Sequence, residues 1–571
     1  MPTWRAACGW QARPRAMREL RWSEIRARAG VWAATHRWFV ALLLLWTIEL
    51  WWSQSATTKP TLWSAGDMVK KDVFFRLLFD LLGLALLLGR AHRLIIAFLI
   101  FWSLVFHFAT ISYHAQYDRA ISIFTIIGQL GEGTQVMGAA YALTRSYLMV
   151  FVPLLILKGW MLWKAERENR LSEAVSRRGF AVLLAGYLAL FAGVTLDHKP
   201  IWRIGKWETV SGIGFTYGYL PAWAGELMFV KRERVLERAL ARMEMVSDQL
   251  TPHEIALPMR RNLVFIQLES FDEKAVGFSI RGTPVTPAVT ALRDRSMYFR
   301  IQAQKYTGSC DSDFTALMGR VGSQDFPNYR IAGIPWNQAL PHDLHKGAFN
   351  NMIFHGVSGH FFHRIDAMPR MGFDGIYFKE QIAAAAGYDG SKWTLADTEV
   401  FDFATEKIKA SPPRTFAMVI TATSHMPFRF ETPGMERIFF GDDKSYQNNY
   451  FDSLRYVDKS VGDFVATLPP ETTVVMYGDH WSTVQNPEVG YEQEVIDGFG
   501  MVPFVVYNVG EDLSGQQRTR GTPLALGAQL TLHDMMTWVH HTARSVGMPR
   551  TIIPPPPTQG SADGSGSGLA R

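Results

Sequence analysis

Three polar sites close apolar runs in the second half of this 571-residue chain, and each holds residues that bind cations or move protons. Glu269 follows Asn262–Leu268, in IQLESFD. Asp479 and His480 follow Thr472–Tyr477, in VVMYGDHW. His425 follows Arg414–Thr421, in ITATSHMPF. A carboxylate beside an imidazole, just after a glycine at a strand end, suits a divalent cation held by oxygen and nitrogen. Taken singly, each has a plainer reading: Glu269 as a helix cap or salt-bridge partner, the others as structural polar groups. A fourth segment, Tyr306–Phe314 (YTGSCDSDF), turns at a glycine and is rich in hydroxyls. Ser309 could be a nucleophile opening a helix, whose N-terminus favours negative charge. An ordinary helix cap accounts for the same serine. Cys310 beside it is a rival nucleophile.

The elements that must position these residues read as an α/β domain from about residue 260. The runs NLVFIQL, RTFAMVIT, TTVVMY and VPFVVY (502–507) are continuously apolar, as strands buried on both sheet faces are. Helical segments lie between them. Open α/β sheets place their ligand crevice at the C-terminal ends of the strands, where Glu269, His425 and Asp479-His480 would converge. The apolar run NNMIF leads into a loop holding His355 and Arg364.

The first 200 residues are of another kind. Five apolar segments, 38–52, 73–89, 94–113, 147–163 and 179–196, read as membrane spans, although Glu49, Asp80, His107 and Lys158 interrupt them. The stretch 120–143 is Gly-interrupted and suits a re-entrant or surface helix. Arginines crowd residues 1–37, and Lys/Arg recur after the second and fourth segments, which puts those loops and the N-terminus in the cytoplasm. Five spans then leave everything after about 200 outside, the same side the cation asymmetry gives. The net charge of +6 is read as this topology signal, so no nucleic-acid partner is expected. The apolar run starts too late for a cleavable signal peptide. Cys8 and Cys310 fall on opposite sides, so no disulfide joins them. The expected organisation is a basic cytoplasmic segment 1–37, a transmembrane domain 38–200, connecting helices at the membrane surface 201–255, a catalytic domain 256–548 and a disordered Pro/Gly/Ser tail 549–571.

The order ESFD, GSCDSDF, FHGVSGHFFHR, SHMPF, YGDHW resembles the lipoteichoic acid synthase and phosphoglycerol transferase branch of the sulfatase-like, or alkaline phosphatase, superfamily. The five segments ahead of it also look like this branch. The resemblance implies a multi-pass helical membrane domain followed by an α/β sulfatase-like sandwich. It implies one divalent cation, Mn2+ or Mg2+, held by Glu269, Ser309, Asp479 and His480, with Ser309 as the nucleophile. His355, Arg364 and His425 would bind substrate, with Phe362 lining the same pocket. The expected reaction moves a phospholipid head group, phosphoglycerol from phosphatidylglycerol, to a glycan or polymer hydroxyl through a phospho-seryl intermediate. A hydrolase, a phosphoethanolamine transferase and a non-catalytic scaffold are the alternatives. The chain would sit in the cytoplasmic membrane with its catalytic domain outside. It also departs from the family, which has HGD and FWNR where this sequence has His355-Gly356-Val357 and Phe361-Phe362-His363-Arg364. Cys310 lacks the Pro and Arg of the sulfatase C-x-P-x-R motif, which argues against sulfatase chemistry.

Overall fold

Apolar runs of this length become helices, even across Gly83, Pro153, Gly159 and Gly186, and the five apolar segments lie inside five of them. In the computed structural model, helix α1 (Arg15–Thr35) is followed by α2 (Arg37–Thr57), α3 (Asp67–Arg90), α4 (Arg93–Tyr117), α5 (Met137–Glu168) and α6 (Arg177–Asp197). The structure describes residues 15–57, 67–117, 120–127, 137–168, 171–197, 200–204, 210–244, 259–515 and 530–547, except 304, 325, 429–431, 442, 444 and 497–498. The tail 549–571 and the whole of the stretch 245–255 lie outside these. Among the described residues three helices, over 93–115, 144–168 and 177–196, are long and apolar enough to cross a membrane. The bent pair α1–α2, with an 86° angle at its break, makes a fourth if it is one span. Helix α3 is not among them, because Lys70, Lys71, Asp72, Arg76 and Asp80 crowd its first half. The polar residues that interrupt these helices meet inside the bundle. Glu49 accepts hydrogen bonds from Lys158 at 2.7 Å and pairs with His107 at 2.8 Å, all three buried. A buried charge without its partner would be costly, so these contacts fix which helices pack together.

Within the connecting segment 201–255 lie α7 (Tyr219–Phe229) and α8 (Arg232–Met243), broken at the extended residues Val230 and Lys231. The first is apolar but for the buried Glu226, and the second is strongly amphipathic. The break lets α8 leave the membrane side and pack on the catalytic domain. There Arg242 donates to Gly322 O at 2.8 Å and lies over the Tyr306 ring.

The α/β domain is built on an eight-stranded sheet: β1 (Asn262–Leu268), β2 (Met297–Gln302), β3 (Asn350–His355), β4 (Gly375–Tyr377), β5 (Thr415–Ile420), β6 (Thr472–Gly478), β7 (Val495–Ile496) and β8 (Phe499–Asn508). Its order is β2-β8-β6-β1-β5-β3-β4, with β7 on β8. The run β6-β1-β5-β3-β4 is parallel, and β8 is antiparallel to both β6 and β2. Alternate residues of each strand enter different cores. Phe265, Met418, Val475 and Phe504 face one core, with helices α9 (Cys310–Met318) and α12 (Leu532–Gly547). Val264, Val419, Met476 and Val505 face the other, with α10 (Asp397–Ala410) and α11 (Tyr446–Thr467). Both faces are therefore covered, as the uninterrupted apolar runs require. The C-terminal ends of β6, β1, β5 and β3 share one sheet edge, and β2 ends there too.

A buried histidine behind α9 makes acid stability testable. His540 donates from Nε2 to Ala316 O at 2.6 Å, and its ring lies against Gly319, where an added Cβ would stand 2.6 Å from Nδ1. Burial pushes His540 down from the usual 6.5 to about 3. The unfolded chain therefore takes the proton first as pH falls below 6.5, and this site's stability is full above that value and lost beneath it. Unfolding titrations should show wild type losing roughly 3 kcal/mol from this group between its ordinary pKa and about pH 4. His540→Gln should lower the slope of stability against pH by about one proton in that window. An unchanged slope would mean that His540 is not held neutral.

Candidate active site

Glu269 begins the loop after β1, and Asp479 and His480 begin the loop after β6, its hydrogen-bonded neighbour. Gly478 is required there, since an added Cβ would stand 2.5 Å from Phe271 O. The backbone then locks the pair: Asp479 N donates to Leu268 O at 3.0 Å. Asp479 Oδ1 accepts from Ser270 N at 2.8 Å and His480 N at 2.7 Å. Glu269 Oε1 accepts from Ser270 Oγ at 2.9 Å, and Oε2 from Ser309 Oγ at 3.0 Å. One ligand atom from each of Glu269, Asp479 and His480 lies within 4.8 Å of the others, and all three residues are buried.

These residues fit a divalent cation, and the fit shows in the acceptors that converge between them. His480 Nδ1 donates to Trp481 O at 2.9 Å, so Nε2 presents a lone pair. That lone pair faces Glu269 Oε1 at 3.2 Å and Asp479 Oδ2 at 3.6 Å, acceptor against acceptor. Asp479 Oδ2 is buried with no hydrogen-bond donor. Burial, and then the Glu269 charge, push Asp479 well above the usual carboxylate range. Burial also raises Glu269, but His425, His480 and Lys305 hold it well below. Two buried carboxylates do not both ionise here unless a positive charge sits between them.

Ser309 caps the N-terminus of α9, with Oγ 3.3 Å from His480 Nε2. Its loop is fastened by Asp311, whose Oδ2 accepts from Tyr306 N at 2.7 Å and Thr307 N at 2.6 Å. Gly308, at φ +151°, lets the Phe362 ring come close; an added Cβ would be 2.5 Å from that ring. Cys310 is 0% exposed in the core, and burial pushes its thiol well up, so the rival nucleophile faces away from the crevice.

The remaining expected residues form the adjoining wall. His355 ends β3 and donates from Nδ1 to Ile420 O at 2.9 Å, leaving Nε2 as an acceptor. Burial and the Arg364 charge push it down to about 3, so it is neutral. Arg364 is buried and donates from Nε to Asp313 Oδ2 at 2.6 Å, while its Nη2 has no hydrogen-bond partner. Phe362 and His363 both take positive φ, which turns the Phe362 ring to within 5.3 Å of that guanidinium. His425 binds Met426 O through Nδ1 at 2.7 Å and packs on Trp393, with ring centroids 4.8 Å apart. Glu269, Ser309, Asp479 and His480 are thus in direct contact, whereas His425 acts on Glu269 through charge alone. Sequence reasoning passed over Lys305, Asp313 and Trp393. Asp313 lay inside the DSDF motif, and Lys305 four residues before Ser309, but neither has a distinguishing local pattern.

A two-faced α/β sheet with a carboxylate–imidazole triad and a serine hydroxyl at the start of a helix on one edge defines a catalytic domain of the sulfatase-like, alkaline phosphatase type. The sulfatase family model matches residues 261–549, half of the chain, and the chain belongs to that family. Lipoteichoic acid synthase of Staphylococcus saprophyticus is 26% identical over 252 residues, covering 41% of this chain and 38% of that protein. Lipoteichoic acid synthase 1 of Bacillus subtilis is 23% identical over 447 residues, covering 71% and 66%. The chain therefore spans less than two thirds of the length of these relatives. The fold of lipooligosaccharide phosphoethanolamine transferase A, an integral membrane protein from Neisseria meningitidis, is similar across 89% of this chain and 95% of that one, with TM-score 0.51 and 14% identity.

Proposed function

We propose that this protein is a membrane-anchored transferase that moves a phospholipid head group to a glycan or polymer hydroxyl through a phospho-seryl intermediate on Ser309. The observation that supports it most is the placement of Ser309 Oγ, 3.0 Å from Glu269 Oε2 and 3.3 Å from His480 Nε2. A hydroxyl on a helix N-terminus, within reach of a carboxylate and a neutral imidazole, is poised to attack phosphorus. Glu269, Asp479, His480 and Ser309 would hold one Mn2+ or Mg2+, which when bound lowers the pKa of a coordinated hydroxyl and offsets charge on phosphate. Ser309 Oγ releases its proton to solvent and bonds to phosphorus of phosphatidylglycerol as the bond to the diacylglycerol oxygen breaks. His425 gives that oxygen a proton. An acceptor hydroxyl then attacks phosphorus and returns its proton to His425, the Ser309 ester breaks, and the serine takes a proton from solvent. Arg364 Nη2 and His355 Nε2 offer a donor and an acceptor to the bound head group.

The domain bounds of the sequence reading go with this proposal. So do five spans, counting α3 and treating the polar contacts of Glu49 as internal, with the catalytic domain outside the cytoplasmic membrane. The bundle would hold the crevice beside lipid head groups, replacing a search through solution with a local one. Val357 and Phe362 are both buried and apolar, which favours phosphoethanolamine as a second head group.

Full-length protein should release diacylglycerol from labelled phosphatidylglycerol with Mn2+ or Mg2+, and mass spectrometry should find the head group on Ser309. A chelator should stop both. No release from phosphatidylglycerol or phosphatidylethanolamine with either ion would remove the proposal, and release only as free head group with every acceptor would make the protein a hydrolase. A reporter fused after residue 210 should be external and one after 170 cytoplasmic; the reverse would exclude outer-leaflet lipids.

A further inference from the structure

Helix α8 lies ahead of residues 261–549, yet it is built into the catalytic domain. Ala239 and Met243 are buried in that domain's core, and Leu236 packs on Gly333, where an added Cβ would stand 2.7 Å from its Cδ2. Arg242 of the same helix reaches the loop that leads to Ser309. Its Nε donates to Gly322 O at 2.8 Å, and its guanidinium lies 5.6 Å from the centre of the Tyr306 ring. With the Gln324 amide oriented to satisfy its neighbours, Oε1 accepts from Arg242 Nη1 at 3.0 Å and from Tyr306 Oη at 3.2 Å. These contacts close a ring. Tyr306 N and Thr307 N donate to Asp311 Oδ2 at 2.7 and 2.6 Å. Asp311 Oδ1 accepts from Asn328 Nδ2 at 3.3 Å, and Asn328 Oδ1 accepts from Ser323 N at 2.7 Å, next to Gly322 and so back to Arg242. An added Cβ at Gly322 would run into the Asn328 amide, so this approach needs glycine. We propose that Arg242 is a positioning residue for the nucleophile: it fixes Tyr306, and through it the loop 306–309 that presents Ser309 Oγ to the ligand cluster. This rests on the reading of Ser309 as nucleophile given above.

The bonds of Asp311 to Tyr306 and Thr307 are local and shape the loop, while Asn328 and Arg242 join it to 322–328 and to α8. Gly308, at φ +151°, stands between Tyr306 and Ser309, a permissive backbone whose freedom has to be removed by contacts on either side. A reacting atom displaced by about 1 Å can lose on the order of a hundredfold in rate, so this fastening bears directly on turnover. Tyr306 also reaches the other arm of the site. Its ring meets Phe499 edge-on at 5.4 Å, and Phe499 meets Trp481 at 5.7 Å, whose carbonyl accepts from His480 Nδ1. An arginine suits the place, because its planar fork donates to a carbonyl and an amide at once while the cation lies over a ring, and one ammonium cannot do all three.

Full-length Arg242→Ala and Arg242→Lys would be compared with wild type by hydrogen exchange over 305–311, and by turnover with Mn2+ of phosphatidylglycerol, both as the soluble dihexanoyl lipid and in vesicles. In Arg242→Ala the Tyr306 and Thr307 amides should exchange at least about tenfold faster, because the loop opens more often. On the soluble lipid, kcat should fall on the order of tenfold to a hundredfold with KM within about twofold of wild type. Arg242→Lys, which keeps a donor for Gly322 O and a cation over Tyr306 but loses the fork, should recover part of both. If Arg242→Ala, melting as a folded protein, exchanges over 305–311 like wild type, the proposal is wrong. It is equally wrong if kcat on the soluble lipid holds while only vesicle turnover falls, because Arg242 would then only dock α8 on the domain. Should Arg242→Ala fail to fold, Arg242→Gln decides, since it keeps one donor and no charge over Tyr306: wild-type exchange and kcat there overturn the assignment. Wild type that turns over no lipid would sink the transferase reading, while exchange over 305–311 would still decide Arg242.

Discussion

Ser309→Ala should lower kcat for diacylglycerol release at least about 10^4-fold and abolish the labelled protein adduct, because the attacking hydroxyl is gone. The hydroxyl donates one hydrogen bond, to Glu269 Oε2 at 3.0 Å. Its loss should therefore cost only about 1 kcal/mol of stability, and the variant should melt near wild type. Cys310→Ser is the paired control. The thiol is fully buried in the core behind the crevice, with Thr307 Oγ1 3.9 Å away. A hydroxyl there is a less comfortable core group, at a cost of about 1–2 kcal/mol. Activity per folded molecule should stay within about twofold. Lipid turnover assayed with equal amounts of folded protein separates the cases. Loss of activity in Cys310→Ser with retention in Ser309→Ala would invert the nucleophile assignment.

The sheet's central strands were legible because burial on both faces leaves no polar alternation to confuse them. NLVFIQL is β1 to the residue, and TTVVMY is β6 but for Gly478. The edge was less legible. In β2, MYFRIQ, Arg300 points outward to Glu273 and Glu494, and six residues with one arginine look like a loop. In β4 there are three residues, too few for any period. The same division holds in the site. Residues at strand ends can be read from sequence, since a strand's end fixes which edge its next residue reaches. Lys305, Asp313 and Trp393 owe their positions to contacts between distant segments, such as the 51-residue separation of Asp313 and Arg364. In the helical half, Glu49, His107 and Lys158 read as flaws one at a time. They make sense only as a set gathered from α2, α4 and α5.

Arg364→Ala should show the largest combined effect of any substitution in the substrate wall. The guanidinium is 2% exposed and pairs with Asp313, which is 0% exposed. Removing it leaves a buried carboxylate uncompensated, at about 3–5 kcal/mol. It also removes Nη2, the buried donor with no protein partner, which a phosphate oxygen would satisfy. Loss of that contact should lower kcat/KM on the order of a hundredfold beyond what unfolding explains. A second variant separates the two roles. Arg364→Met with Asp313→Leu replaces the ion pair by packed apolar groups, and should restore most of the melting temperature, since such exchanges are often neutral. Turnover should remain low in the double variant, because neither side chain donates to an oxygen. Arg364→Lys should keep a charge for Asp313 yet recover only part of the turnover, as one ammonium cannot serve both the carboxylate and the substrate. If the double variant regains both stability and turnover, Arg364 only holds the Phe362 turn against α9 and makes no phosphate contact.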